Sequence, residues 1–504
     1  MRWPHVQSAD KMKRVDARVV ASAAALALLL SACSLAPPLK TPVIATGSVY
    51  QEMGQWTQAQ PGEPLARDSW WTLYGNAQLD ELQTRLMAGN PTLAAALADY
   101  EQARAYSDQE RAGLFPTLGV GADVERERES LNAPLRGATT PTYYSDDTVG
   151  ATLSYELDLW GKIRNEVAAG AASAAASAGD LEYARLSLTA QLVGDYIQLR
   201  SLDRAGAILD QAVKDYGRAL VLTEERHNAG IAPGLDVSQA QTQLDAARSQ
   251  AQQTLAQRAL MEHAIAALIG VSASTFAIKP AIVTIKQPHV PVGIPGTLLQ
   301  RRPDIAAAQE RMIAANAEIG VVRAAYFPTI TLGAEGGLEG NALSNWMSAP
   351  SSFWAIGPSA LLTVFDGGMR RAQVAQARAG FDASAANYRG VVVAAFQQVE
   401  DSLALLNRYH AASVEEKAAV EAAQRSLDFS LELYVKGATD YLTVVSSQTA
   451  LLQTQLEALD LDTMQLSASV DLIRALGGGW ARCRPAGARR GGPAGRQCSA
   501  RPFR

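Results

Sequence analysis

What the chain lacks narrows its function first. Three of its 504 residues are cysteine, Cys33, Cys483 and Cys498, so the body from Ser34 to Trp480 can form neither a disulfide nor a thiolate metal site. Histidine is almost as scarce: His5, His227, His263, His289 and His410 are scattered, and no His-Glu-x-x-His brings two together. Gly-x-Ser-x-Gly is missing, and Gly119-x-Gly121 runs into a strand-like stretch rather than a helix that could cradle phosphate. Hydrolytic and redox chemistry thus have no candidate residues, and the expectation is a protein that is not an enzyme and holds no metal. Basic charge is short as well. The formal charge of −5 conceals five Lys/Arg in residues 1–32 and seven arginines in 480–504, which leaves the body with about fifteen more acidic than basic residues. With no basic stripe to displace counterions from phosphates, nucleic acid is not an expected partner.

The apolar segment "VVASAAALALLL" (19–30) is only 12 residues long and follows Lys11, Lys13, Arg14 and Arg18. That is the length of a signal-peptide core and too short to span a bilayer as a helix. It ends Leu30-Ser31-Ala32-Cys33, which resembles the bacterial lipobox. The resemblance implies cleavage before Cys33 and covalent lipid there, a diacylglycerol on the thiol and an N-acyl chain. Two or more chains anchor stably where one does not. A chance cysteine in an ordinary signal sequence is the competing reading. Ser34 rather than Asp follows, which resembles the sorting signal for the outer membrane. At the other end, the Gly/Pro/Ala/Arg stretch 480–504 has no apolar periodicity and reads as a disordered basic tail.

Internal duplication is the next signal. "NPTLAAALADYEQARAYSDQERAGLFPTLGVGADV" (90–124) aligns with "RPDIAAAQERMIAANAEIGVVRAAYFPTITLGAEG" (302–336) at an offset of 212, pairing Phe115-Pro116-Thr117 with Phe327-Pro328-Thr329. Beyond the next loop the offset becomes 207 and holds, pairing Gly161 with Gly368, Gly230 with Gly437, Gln241 with Gln448 and Gly270 with Gly477. The difference falls between Val124 and Gly161, which marks a surface loop.

Each half repeats one order: helix, Phe-Pro-Thr, two strands, a very long helix, a short break, a long helix. Leu118, Val120, Ala122 and Val124 alternate with Gly119, Gly121, Asp123 and Glu125; Val149, Ala151, Leu153 and Tyr155 alternate with Gly150, Thr152, Ser154 and Glu156. Period two with one apolar and one small or acidic face suits a sheet between two solvents, and segments of ~10 residues match a transmembrane barrel strand. A small soluble meander fits these strands equally well. The helices decide between them. No proline interrupts Gly161 to Glu225, a stretch that would make a helix about 90 Å long, beyond any globular domain. Leu188, Leu192, Tyr196, Leu199 and Leu202 recur at the spacing of an inter-helix seam.

The expected organisation is a signal peptide (1–32), a lipidated extended segment (33–75), repeat one (76–270), a proline-rich linker (271–300), repeat two (301–479) and the tail (480–504). Strands are expected at about 116–129, 147–158, 328–340 and 352–365, the first-half long helices at 161–226 and 235–269, and the second-half helices at 303–325, 369–435 and 441–476.

"WWTLYGNAQLDEL" (70–82), "YELDLWGKIR" (155–164), "RRPDIAAAQ" (301–309), "FPTI" (327–330), "GATDYLTVVSSQTALL" (437–452) and "ALGGGW" (475–480) resemble TolC-like outer-membrane efflux factors, in particular the NodT-type lipoproteins that serve resistance–nodulation–division pumps. The resemblance implies an α+β membrane protein. Four strands from each protomer of a homotrimer would make a twelve-stranded barrel in the outer membrane, continued by a periplasmic helical barrel with an equatorial region. It implies an exit duct for drugs or other toxic small molecules, docked to a periplasmic adaptor protein and an inner-membrane pump. A protein-secretion channel and a non-transporting envelope lipoprotein are the alternatives. It further implies that the breaks "HNAGIAPGLDVSQAQ" (227–241) and "YVKGATDYLTVVSSQ" (434–448) are gated periplasmic tips. Gly230 and Gly437 fit the left-handed residue that ends a helix. Asp236 and Asp440 sit where a carboxylate meets the positive end of the next helix, so capping alone would explain both. By resemblance Tyr434 and Asp236 pair across neighbouring helices in the closed state. Where relatives carry gate acids or a gating arginine, this chain has Thr439, Thr443 and Ser446. Closure then rests on Leu442 and Val445, or on Asp236 and Asp440.

Overall fold

A computed structural model describes residues 34–44, 47, 49–52, 69–132, 134, 137, 139, 141–288, 290, 301–341 and 348–478. Cys33, the signal segment and the tail lie outside the described residues. Chain contacts divide the protein into two compact units, one of residues 1–41, 102–175 and 310–386, the other of 42–101, 176–309 and 387–504. No described helix is long and apolar enough to cross a membrane.

The first unit is organised by a four-stranded antiparallel meander in the order β1-β2-β3-β4: β1 Thr117–Arg128, β2 Tyr143–Glu156, β3 Thr329–Gly340 and β4 Ser352–Leu361. Register makes the alternation of each strand coincide with its neighbours'. Leu118, Leu153, Ala334 and Ile356 form one cross-strand row, and Val120, Ala151, Gly336 and Trp354 the next, all on one face. Much of that face is open: Leu118, Val120, Trp354 and Ile356 are 66% exposed or more. The opposite face carries Gly119, Thr152, Glu335 and Ala355 in one row and Gly121, Gly150, Gly337 and Phe353 in another. Gly337 has no alternative there, because a Cβ would collide with the Val149 carbonyl.

Helix α2 (Pro91–Ala112) leads into β1 and α5 (Pro303–Ala324) into β3. Pro116 and Pro328 bar either helix from continuing. After the sheet, Gly161 and Gly368 turn with positive φ into α3 (Lys162–Asn228) and α6 (Met369–Val435), each of 67 residues and thus about 100 Å long. Both are capped by an aspartate. Asp158 accepts the backbone N–H groups of Ile163 at 3.1 Å and Arg164 at 3.0 Å, and Asp366 accepts those of Gly368 at 2.9 Å and Arg370 at 3.2 Å. Trp160 stacks on Phe327 at 4.7 Å and donates its indole N–H to the Pro328 carbonyl at 2.8 Å. The N-terminal segment is strapped alongside: Ser34 bonds Asn165 at 2.9 Å, Arg323 bonds the Leu35 carbonyl at 3.1 Å, and Asn316 that of Pro37 at 3.0 Å.

The second unit is helical: α1 (Ala77–Gly89), the later parts of α3 and α6, α4 (Gly234–Leu268) and α7 (Tyr441–Ala475). Its core follows the seam spacing, with Leu192, Tyr196 and Leu199 of α3 in one cluster with Val392, Val399 and Leu406 of α6 and Leu472 of α7. The linker is held by buried charge. Asp203 lies 2.6 Å from both Arg200 and Arg258, Arg258 lies 2.7 Å from Glu262, and Asp203 also accepts the Ala281 N–H at 3.1 Å. The Arg-Arg-Pro-Asp motif has a similar role: buried Arg302 pairs with Asp304 at 2.7 Å and donates to Gln398 at 2.8 Å and to the Ala475 carbonyl at 3.1 Å.

Some expected boundaries move. β2 begins at Tyr143, not near 147, because its polar start pairs with Glu127 and Arg128 of a long β1. β4 ends at Leu361 rather than near 365, opposite the first residue of β3, beyond which there is no partner. The stretch ahead of β1 is two helices, broken at Asn90. Asn90 caps α2 by accepting the Leu93 N–H at 2.8 Å while donating to the Leu268 carbonyl at 2.7 Å. Trp70–Tyr74, in the segment read as extended, is a 3-10 turn.

Candidate functional site at the helix breaks

The two breaks have one backbone design. Gly230 and Gly437 end α3 and α6 with φ of 74° and 75°. In the first, Ile231 N–H reaches back to the Arg226 carbonyl at 2.8 Å; in the second, Ala438 N–H reaches the Leu433 carbonyl at 2.8 Å. This is the six-to-one closure that a left-handed glycine allows. His227 ties down its own turn, its Nδ1 bonding the Ala232 carbonyl at 2.8 Å.

The two aspartates have different roles. Asp440 caps α7, accepting Thr443 N–H at 3.1 Å and Thr443 Oγ1 at 2.7 Å, and the threonine hydroxyl, with the backbone N–H, holds its carboxyl below the ordinary value. Asp236 lies in the first turn of α4 but does not cap it. Its Oδ2 takes the Tyr434 hydroxyl at 3.4 Å, which brings together the two residues that the resemblance pairs.

Around that contact the structure assembles two residues that sequence reading missed. Tyr441 packs edge-on to Tyr434 at 5.2 Å, and the Arg226 guanidinium lies 4.7 Å from the centre of the Tyr434 ring. Arg226 also donates to the Val435 carbonyl at 3.2 Å. Arg226, Asp236, Tyr434 and Tyr441 come from α3, α4, α6 and α7, so one cluster clasps all four helices. Burial, then the Asp236 carboxylate, raises the Tyr434 pKa, and burial pushes Tyr441 to about 12. Both phenols therefore stay protonated, and Tyr434 stays a donor. The sequence held one signal for Tyr441, a second tyrosine seven residues after Tyr434 across a glycine break.

Leu442 and Ser446 remain outside the cluster. Leu442 is 54% exposed, Ser446 is exposed, and Val445 packs partly buried against the tyrosines. Among the described residues no group of histidines, cysteines and acids could hold a metal ion.

The family model described as outer membrane efflux protein matches residues 82–271 and 294–478, one stretch in each repeat. The chain is 31% identical to outer membrane protein OprJ of Pseudomonas aeruginosa over 480 residues, 94% of this chain and 98% of OprJ. It is 32% identical to the pyoverdine export outer membrane protein OpmQ of the same organism over 463 residues, 90% of this chain and 95% of OpmQ. The solved structure of the outer-membrane channel OprN matches with a TM-score of 0.83 at 27% identity, covering 89% of this chain and all of that one. The chain belongs to the outer membrane efflux protein family and serves efflux at the outer membrane.

Proposed function

We propose that three copies of this chain form one continuous duct, whose sheets close into a twelve-stranded barrel through the outer membrane and whose long helices line its periplasmic part. The observation that carries this is the sheet. One face is apolar and exposed, the other small and acidic, and among the described residues the outer edges of β1 and β4 are unpaired. A bilayer tolerates an apolar outer face but not unpaired edges, which only neighbouring chains can cover. Four strands cannot close, eight would be filled by side chains, and twelve leave a water-filled lumen. Trp160, Phe327 and exposed Phe115 and Phe365, where strands meet helices, fit an interfacial girdle.

In this reading the clasp of Arg226, Asp236, Tyr434 and Tyr441 is the periplasmic gate, with Asp440, Gly230 and Gly437 shaping its turns. Leu442 and Ser446 are left free to meet a neighbouring copy or a periplasmic adaptor protein, which links the duct to an inner-membrane pump. Cys33 carries the lipid anchor, and the strap at Ser34–Pro37 fixes where it leaves the fold. The cargo is a drug or another toxic small molecule. Expression in cells stripped of their own outer-membrane efflux proteins, with a compatible adaptor and pump supplied, should lower accumulation of an amphiphilic dye. Unchanged accumulation with the protein present in the outer membrane would refute the export role. Cys33→Ala should abolish incorporation of labelled palmitate; undiminished labelling would refute the anchor.

A further inference from the structure

β1 and β4 are exposed along nearly their whole length. What each pairs with follows from the duplication. Residues of β1 map onto β3 by the offset of 212, and those of β2 onto β4 by 207. Applied to the observed pair Thr117↔Ser154, these offsets give Thr329↔Leu361, which is the pair found. The hairpins therefore share one register. The equivalence extends into the helices: Gly113 lies against Ile163, and their counterparts Ala325 and Arg370 are joined by a 3.3 Å bond from Arg370 to the Ala325 carbonyl. The first unit is thus one building block used twice, with β2–β3 as the joint between blocks.

A second joint of the same kind would let the blocks continue from chain to chain. Carried across by the same offsets, the observed pairs Thr152↔Glu335 and Gly150↔Gly337 become Ser359 opposite Asp123 and Gly357 opposite Glu125. We propose that β4 of one copy pairs antiparallel with β1 of the next in this register, Ser359 facing the partner's Asp123 and Gly357 facing the partner's Glu125. The proposal rests on the trimeric reading and adds its register. Charge favours this joint over self-pairing. β1 carries Asp123, Glu125 and Glu127 on the face where β4 offers Ala355, Gly357, Ser359 and Leu361. Two β1 edges would set like charges opposite each other, which destabilises a sheet. Unlike edges give a head-to-tail contact, which closes into a ring where the rotation between copies closes the circle. The apolar face also runs on unbroken, with Ala360 facing the partner's Ala122.

Disulfide trapping tests the register. In a Cys483→Ser, Cys498→Ser background, Ser359→Cys is combined with Asp123→Cys. Within one chain these positions are three strand spacings apart, roughly 14 Å, and cannot bond, so any product is intermolecular. Oxidation of the purified protein should give a covalent ladder ending at the trimer. Its yield should be about ten-fold that of Ser359→Cys with Glu125→Cys, which is two residues out of step on the same face. Gly357→Cys with Glu125→Cys should link as well as the first pair and guards against poor folding of either variant. Trimers that link better in the shifted pair would overturn the register and leave the trimer standing. A single-chain mass for the folded protein would overturn both.

Discussion

Tyr434 and Tyr441 differ by one hydrogen bond. Tyr434 gives its hydroxyl to Asp236, whereas the Tyr441 hydroxyl is buried without a partner. An unpaired buried hydroxyl costs stability, so Tyr441→Phe should be neutral or stabilising by up to ~1 kcal/mol, read as an unchanged or raised Tm. Tyr434→Phe should loosen α6 from α4 and raise the open fraction of single channels. Equal gating in the two variants would contradict the assigned gate. At Asp440 the lowered pKa makes the cap stabilising above the unfolded carboxylate value of about 3.9, and that stability is lost as pH falls through the folded value. Asp440→Asn should therefore lower Tm at neutral pH and remove part of the acid-side fall. An identical Tm–pH curve would refute the contribution of the charge, since an asparagine can still accept the Thr443 N–H. Asp236 and Asp440 were legible because each begins the helix that follows a glycine break, and Tyr434 only through the resemblance to the family. Arg226 was not, because its contact with Tyr434 depends on the rotation of helices about 200 residues apart in sequence, and Tyr441 was not, because its packing on Tyr434 depends on how the chain turns at the break between them.

Among the elements, strand alternation, the Phe-Pro-Thr turns and the proline-free helices could all be read from the chain. Strand ends could not, because they are set by how far the partner strand runs: Tyr143 is in β2 only because Arg128 is there to pair with it. The buried charges at the linker were equally hidden, since Arg200, Asp203 and Arg258 look like ordinary helix-surface residues until α3 and α4 meet. Asp203→Ala strands two buried arginines and should cost about 3–5 kcal/mol, seen as a lower Tm and early proteolysis in the linker. A loss below 1 kcal/mol would mean that the network does not hold the linker. Gly437→Ala forces a left-handed alanine and should cost roughly 1–2 kcal/mol at the α6–α7 turn.

For the whole molecule, the duplication was legible and carries most of the functional argument, because it yields two hairpins with one register and two breaks with one turn. The shared edge between β2 and β3 was not, since no sequence pattern states which strands of separate repeats are neighbours. That edge leaves the outer edges of β1 and β4 unpaired among the described residues, and the proposed trimer would cover them. The most direct measurement is conductance across a planar lipid bilayer by the purified full-length protein. The account predicts discrete current steps of one unit size, each from one assembled duct. A bilayer that demonstrably takes up the protein and stays electrically silent across pH and voltage would contradict it.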